Sequence, residues 1–248
     1  MSKNIHVLST DWEFTWSHYS GKDRGPLSET EVQGRTWRPA TVPGNVQADL
    51  QTLGLVEDPF FADNADHLRW CEEVDFWYRR KLGPVDVPHG ARAILHFEGL
   101  DCFATIWIDG REVGRHSNMF VPYWIDVTEH LRADRPVELL IRLAANFQEA
   151  AVSHRDPIDH PPMQRIRSRK PQISYGWDIG PRIVTVGLWR PVRLEIIDRG
   201  RLLYAGVRTL DVTGPAAALE AVATVDWHGR PGKATLRGRF GPTTIEQT

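Results

Sequence analysis

Short runs of alternating apolar and polar residues, broken by turn signals about every dozen positions, restrict this chain to a β architecture. Val137-Glu-Leu-Leu-Ile-Arg-Leu143 puts Val137, Leu139, Ile141 and Leu143 on one face, the period of two that belongs to a strand. Ala104–Ile108, Asp109-Gly110 and Arg111–Arg115 read as a hairpin closed by a primed turn. Further strands are expected at Trp77–Leu82, Ala93–Phe97, Tyr123–Val127 and Val192–Ile196. Val87-Pro88-His89-Gly90, Ala133–Pro136 and Asp198-Arg-Gly200 punctuate them. Many short strands at this spacing predict an antiparallel sandwich or jelly roll. Helical signals are weak, and the best covers Asn45–Leu53, with Asn45 as N-cap, Gly54 as C-cap, and Val46, Leu50 and Leu53 on one face. Thr128–Leu131 reads as a single turn.

The composition supports a packed core and excludes several functions. Of 248 residues, 41% are hydrophobic and 25% charged, which excludes a disordered or collagen-like chain. The formal charge of −2 gives no general attraction to nucleic acid or membrane, and no stretch reaches the roughly 20 apolar residues of a membrane span. Two cysteines, Cys71 and Cys102, exclude a disulfide scaffold and read as buried small hydrophobes. The N-terminal residues carry no apolar signal core, so a cytoplasmic location is expected. Ten tryptophans are unusual; they read first as core side chains, and second as faces on which a sugar can stack.

A boundary is expected near Arg199-Gly200-Arg201, where aromatic residues thin out and Ala, Gly and Thr increase. Leu202–Leu210, Leu219–Trp227 and Ala234–Phe240 read as strands of a second β unit. The roughly 48 residues there are about half of an immunoglobulin-type sandwich. The chain is therefore expected to comprise a first domain over 1–198 and part of a second over 199–248. There is no room for an α/β barrel of about 250 residues as well.

The segment Arg169–Pro191 carries the most chemistry. Gly176, Gly180 and Pro181 prevent a long helix or a central strand, leaving a shaped loop with Tyr175, Trp177, Asp178 and Arg182. Considered alone, Asp178 reads as a turn residue and Arg182 as a salt-bridge partner. His154, Asp156, Asp159 and His160 lie close together, but prolines surround them and no ligand spacing appears, so no metal is expected. The basic run Arg165–Lys170 lacks aromatic platforms and reads as pairing with acidic residues rather than with nucleic acid.

Collinear motifs then identify a family. They are Val42-Pro43-Gly44-Asn45-Val46, Asp58-Pro59-Phe60-Phe61, Phe76–Arg80, Phe97-Glu98-Gly99-Leu100-Asp101, Asn118–Tyr123, Ser174-Tyr175-Gly176-Trp177-Asp178, Gly180-Pro181-Arg182 and Val186–Val192. Together they resemble the N-terminal region of glycoside hydrolase family 2, in its β-mannosidase-like branch. The resemblance implies a jelly-roll, galactose-binding-like β-sandwich followed by the start of an immunoglobulin-like sandwich. It implies retaining chemistry by two carboxylates about 5–5.5 Å apart, both glutamates on a barrel that this chain does not contain. In the family the acid/base glutamate follows an asparagine; none of the five asparagines here precedes a glutamate. No catalytic residue, cofactor or metal is therefore expected in this chain, and no activity from it alone.

The same resemblance implies that Trp177 and Asp178 form one wall of the sugar subsite. A carboxylate can accept two hydrogen bonds from vicinal hydroxyls while an indole covers the ring. Ile179, where the family usually has Trp, and Gln47, where it often has His, depart from the pattern. The implied partners are a β-mannoside-like carbohydrate and the catalytic barrel, with neither nucleic acid nor membrane. A free-standing carbohydrate-binding module and another family activity, β-galactosidase or β-glucuronidase, are the alternatives.

Overall fold

A computed structural model of the chain describes residues 4–21, 23–152, 165–227 and 235–247. In chain order its strands are β1 (Asn4–Val7), β2 (Glu13–His18), β3 (Arg38–Pro39), β4 (Val74–Leu82), β5 (Arg92–Phe97), β6 (Ala104–Ile108) and β7 (Arg111–His116). There follow β8 (Tyr123–Asp126), β9 (Val137–Leu143), β10 (Val192–Ile197), β11 (Gly200–Thr213), β12 (Ala216–Trp227), β13 (Leu236–Phe240) and β14 (Thr243–Gln247). The α-helices are α1 (Glu29–Gln33), α2 (Val46–Thr52) and α3 (Asn146–Val152).

Two antiparallel sheets form the first unit, in the orders β3-β2-β4-β9-β6-β7 and β1-β10-β5-β8. One apolar cluster fills the space between them. Phe14, Phe76, Tyr78, Leu139, Ile141 and Ile106 enter from the larger sheet, and Leu95, Phe97, Ile125 and Leu194 from the smaller. Each such side chain removed from water contributes about 1.5–3 kcal/mol. The expected hairpin is present, and Asp109 (φ 46°) and Gly110 (φ 75°) both take the left-handed conformation that a primed turn needs.

Alternation along β9 does send Val137, Leu139, Ile141 and Leu143 into this cluster. The opposite face of β9 is also buried. Leu140 packs with Trp77, Trp107 and Leu27, and Val32 and Trp37 near α1 lie over them. On that face Arg142 (1% exposed) donates to Asp75 (0%) through Nε at 2.9 Å and Nη2 at 3.2 Å. Three further donors, Ala145 N–H, Ser20 N–H and Ser20 Oγ, complete the Asp75 carboxylate.

Helix α2 begins as expected, with Asn45 Oδ1 accepting from Ala48 N–H at 3.0 Å. Its end differs from expectation. Leu53 is the C-cap, Gly54 follows it at φ 67°, and Leu53 is 37% exposed while Val46 and Leu50 are fully buried. Leu53 keeps helical backbone angles (φ −81°, ψ −1°) but lies one residue past the end of α2, at the rim of the buried face. Thr128–His130 forms the expected single turn.

Beyond Gly200 the strands pair only as β11–β12 and β13–β14 among the described residues. The third expected strand begins at Leu236, Ala234 lies outside the described residues, and β14 is an addition. Tyr204, Val207, Leu210 and Val212 are all more than half exposed on this hairpin. Its base is tied to the smaller sheet. The Arg201 guanidinium sits 4.9 Å from the Trp124 ring and 3.5 Å from both Glu195 and Asp226. His96 Nε2 lies 2.9 Å from Glu195 in the same cluster.

Candidate functional site

The loop over residues 169–191, which leads into β10, is fastened at three levels, and this determines what its tip can do. At the base, Lys170 (0% exposed) pairs with Asp101 (2%), and its Nζ also donates to the Thr185 carbonyl at 2.6 Å. Thr185 Oγ1 donates to the other Asp101 oxygen at 2.8 Å. Asp101 and Gly187 exchange backbone hydrogen bonds of 3.0 and 3.2 Å. One carboxylate thus holds both stems of the loop.

The exit stem also lies against the start of α2. Gly44 N–H donates to Leu188 O, and Val46 N–H to Val186 O. Gln47, 5% exposed, donates to Val184 O at 2.9 Å and accepts from Val186 N–H at 3.3 Å. A Cβ at Gly187 would sit 2.5 Å from Gly44 O, so only glycine permits this approach. The departure at Gln47 is therefore a buried amide tying α2 to the loop.

Nearer the tip, Arg182 donates to both oxygens of Glu72, through Nε at 2.9 Å and through Nη2. Its guanidinium lies 5.3 Å from the Tyr175 ring. Tyr175 O–H donates to Asn146 Oδ1 at 2.7 Å, and Asn146 Nδ2 donates to Ser168 Oγ at 3.0 Å. Burial is the main cause that pushes the Tyr175 phenol up to about 12, so it remains a donor at neutral pH. Arg182 is thus a salt-bridge partner, as its sequence setting predicted. Glu72, 110 residues away, gave no local signal for this role.

The tip is a two-residue turn. Gly180 N–H donates to Trp177 O at 3.2 Å, and Trp177 N–H to Gly180 O at 3.4 Å. Asp178 and Ile179 occupy its centre. Trp177 is 61% exposed and Ile179 87%, while Asp178 is also exposed. The arrangement is a fastened loop offering an indole and a carboxylate side by side to solvent.

Other sequence candidates take structural roles. Cys71 and Cys102 are buried, and burial is the main cause raising their thiols to about 12 and about 11. The basic run places Lys170 on Asp101. His154, Asp156, Asp159 and His160 lie outside the described residues. Among the described residues no three His, Cys, Asp or Glu side chains are placed to hold a metal ion, and no helix is long and apolar enough to cross a membrane. Of the tryptophans, Trp12, Trp77 and Trp107 are core side chains, whereas Trp124 and Trp177 are exposed.

Two antiparallel sheets around one core, with a fastened loop at the exit of the sandwich, define a jelly-roll domain of the galactose-binding-like class. Residues 12–190 match the family model described as glycosyl hydrolase 2 galactose-binding domain-like, and the chain belongs to glycoside hydrolase family 2. It is 34% identical over 197 residues to β-mannosidase B of Thermothelomyces thermophilus, covering 77% of this chain and 22% of that protein. It is 30% identical over 266 residues to β-mannosidase B of Emericella nidulans, covering 97% of this chain and 30% of that protein. The crystal structure of a β-D-mannosidase from Dictyoglomus thermophilum superposes with a TM-score of 0.74 at 30% identity, over 90% of this chain and 26% of that one. The chain thus resembles the N-terminal region of the β-mannosidase-like branch and spans under a third of these relatives' length.

Proposed function

We propose that this chain is the non-catalytic N-terminal portion of a β-mannosidase-like retaining glycoside hydrolase, in which Trp177 and Asp178 form one wall of the sugar subsite. The observation that carries the reading is the contrast between tip and stem. Asp101, Lys170, Thr185, Glu72 and Arg182 hold the loop from below, yet among the described residues the side chains of Trp177 and Asp178 make no hydrogen bond or ion pair, their turn being closed by the Trp177–Gly180 backbone pair alone. A carboxylate held in this way accepts charge-assisted bonds from hydroxyls without first ordering a mobile segment. The indole beside it supplies an apolar face for a pyranose. Residues 199–248 are the beginning of a second β domain in this reading, and the acid/base and nucleophile belong to a barrel on the same enzyme.

The test uses a chimera in which residues 1–248 replace the matching region of an active β-mannosidase. Asp178→Ala is expected to lower kcat/KM on an aryl β-mannoside by about 1.5–3 kcal/mol, or roughly 10–150-fold, with little change in Tm. A sharply lower Tm with retained activity per folded molecule returns Asp178 to the role of a turn residue. The unfused chain is expected to show no turnover.

A further inference from the structure

The ion pairs that fasten the loop differ in burial, and this separates their roles. At the base, Lys170 and Asp101 are withdrawn from water almost completely. Nearer the tip, the Arg182 side chain is 30% exposed and that of Glu72 9%. Water screens the upper pair in part, so breaking it costs less than breaking the buried pair. The upper pair has two-point geometry instead: Arg182 Nε donates to one Glu72 oxygen at 2.9 Å and Nη2 donates to the other. Two parallel bonds between a guanidinium and a carboxylate fix direction as well as distance.

Glu72 stands on a rigid mount. It ends the 3₁₀ turn Asp66–Glu72, whose Leu68 and Cys71 are buried in the main apolar cluster. Trp70 of the same turn packs on Phe76 of β4, with ring centroids 6.0 Å apart. A second mount meets it from the other side. The Tyr175 hydroxyl is held by buried Asn146, and the Arg182 guanidinium lies over the Tyr175 ring at 5.3 Å. Arg182 Nη1 also donates to the Tyr175 carbonyl at 3.4 Å. Gly176 takes φ 93°, and a Cβ added there would touch Arg182 Cβ at 3.4 Å. Tyr175 and Gly176 on one side and Arg182 on the other are therefore the two feet of the turn Trp177–Gly180, clamped together at Arg182.

We propose that Glu72 is a positioning residue: through Arg182 it sets the direction in which Trp177 and Asp178 leave the loop, whereas the Lys170–Asp101 pair keeps the loop folded. This role depends on Trp177 and Asp178 meeting the sugar, as read under Proposed function. Among the described residues the side chains of Trp177 and Asp178 have no hydrogen bond or ion pair of their own, so their placement comes from the backbone that carries them. A displacement of about 1 Å at such a point can cost up to about 100-fold in rate. Glutamate suits position 72 because the fork of Arg182 needs two acceptor oxygens. Glutamine offers one and turns an N–H₂ donor toward the other guanidinium nitrogen. Lysine at 182 would keep the charge but has no fork.

The experiment has two arms. In the 248-residue chain, ¹⁵N relaxation measures backbone order at Trp177, Asp178, Ile179 and Gly180. Order parameters of about 0.85, like those of rigid strands, are expected in the wild type, and values below about 0.6 in Glu72→Gln, with β4 and β9 unchanged. In the chimera, Glu72→Gln is expected to lower kcat/KM about tenfold, and Arg182→Lys to match it. In a chimera already carrying Trp177→Ala and Asp178→Ala, the same Glu72→Gln change is expected to alter kcat/KM less than about twofold, because the groups it positions are gone. A purely structural loss would register equally in both backgrounds. Equal losses in the two backgrounds, wild-type kcat/KM in Arg182→Lys, or unchanged order at the tip in Glu72→Gln overturns the proposal. Unaltered kcat/KM for Asp178→Ala overturns the subsite reading instead, and the relaxation arm then still decides whether Glu72 holds the tip.

Discussion

Lys170→Met tests whether the loop is held from its base. Lys170 and Asp101 are 0% and 2% exposed, and Lys170 also reaches the Thr185 carbonyl at 2.6 Å. Methionine keeps most of the stem volume but removes the charge, leaving the Asp101 carboxylate buried with the Thr185 hydroxyl as its remaining side-chain partner among the described residues. Breaking a buried pair from one side costs about 3–5 kcal/mol. For a unit of this size each kcal/mol moves Tm by about 2–4 °C, so a drop of roughly 6–20 °C is expected. Circular-dichroism melts and urea titrations on the purified chain measure it. Amide exchange over 171–184 should rise more than exchange in β4 or β9. Asp101→Leu combined with Lys170→Met should recover much of the loss, because an apolar pair carries no desolvation penalty. A single-variant Tm drop under about 2 °C, or a double variant worse than the sum of its singles, would refute the reasoning.

Three further outcomes follow from the same structure. Cys71 and Cys102, with thiols raised to about 12 and about 11, should resist iodoacetamide at pH 8 in the folded chain and react promptly in urea, as mass spectrometry will show. Burial, opposed by Glu195 and reinforced by Arg201, lowers the His96 pKa below its usual 6.5. The unfolded chain then binds the proton more readily, so stability should fall as pH drops below about 6.5, and His96→Gln should flatten that slope in urea titrations. Limited proteolysis should cut first after residue 198 and leave a resistant core of that length, because β11 and β12 bury little apolar surface.

The sequence made some elements legible for local reasons. Alternation in β9, the Asp109-Gly110 turn and the Asn45 cap are decided within a few residues, and each appears in place. Strands β1 and β2 and the turn Asp66–Glu72 escaped, because their residues carry weak periodicity and are held by partners far along the chain. The double burial of β9 was also not legible, since its outer cover comes from Leu27, Val32 and Trp37, over a hundred positions earlier. The same distinction applies to the loop. Gly176, Gly180 and Pro181 announced a shaped segment, and family motifs drew attention to Trp177 and Asp178. Glu72, which fastens Arg182, is an ordinary glutamate until the fold brings it there.

The measurement that bears most directly on the subsite reading is a cycle between protein and substrate. Wild-type and Asp178→Ala chimeras are compared on an aryl β-mannoside and on analogues each lacking one ring hydroxyl. If the Asp178 carboxylate accepts from sugar hydroxyls, removing the right hydroxyl should abolish most of the variant's penalty, a coupling of about 1.5–3 kcal/mol in kcat/KM. Equal penalties on every analogue would contradict the account, because Asp178 would then act without touching the sugar.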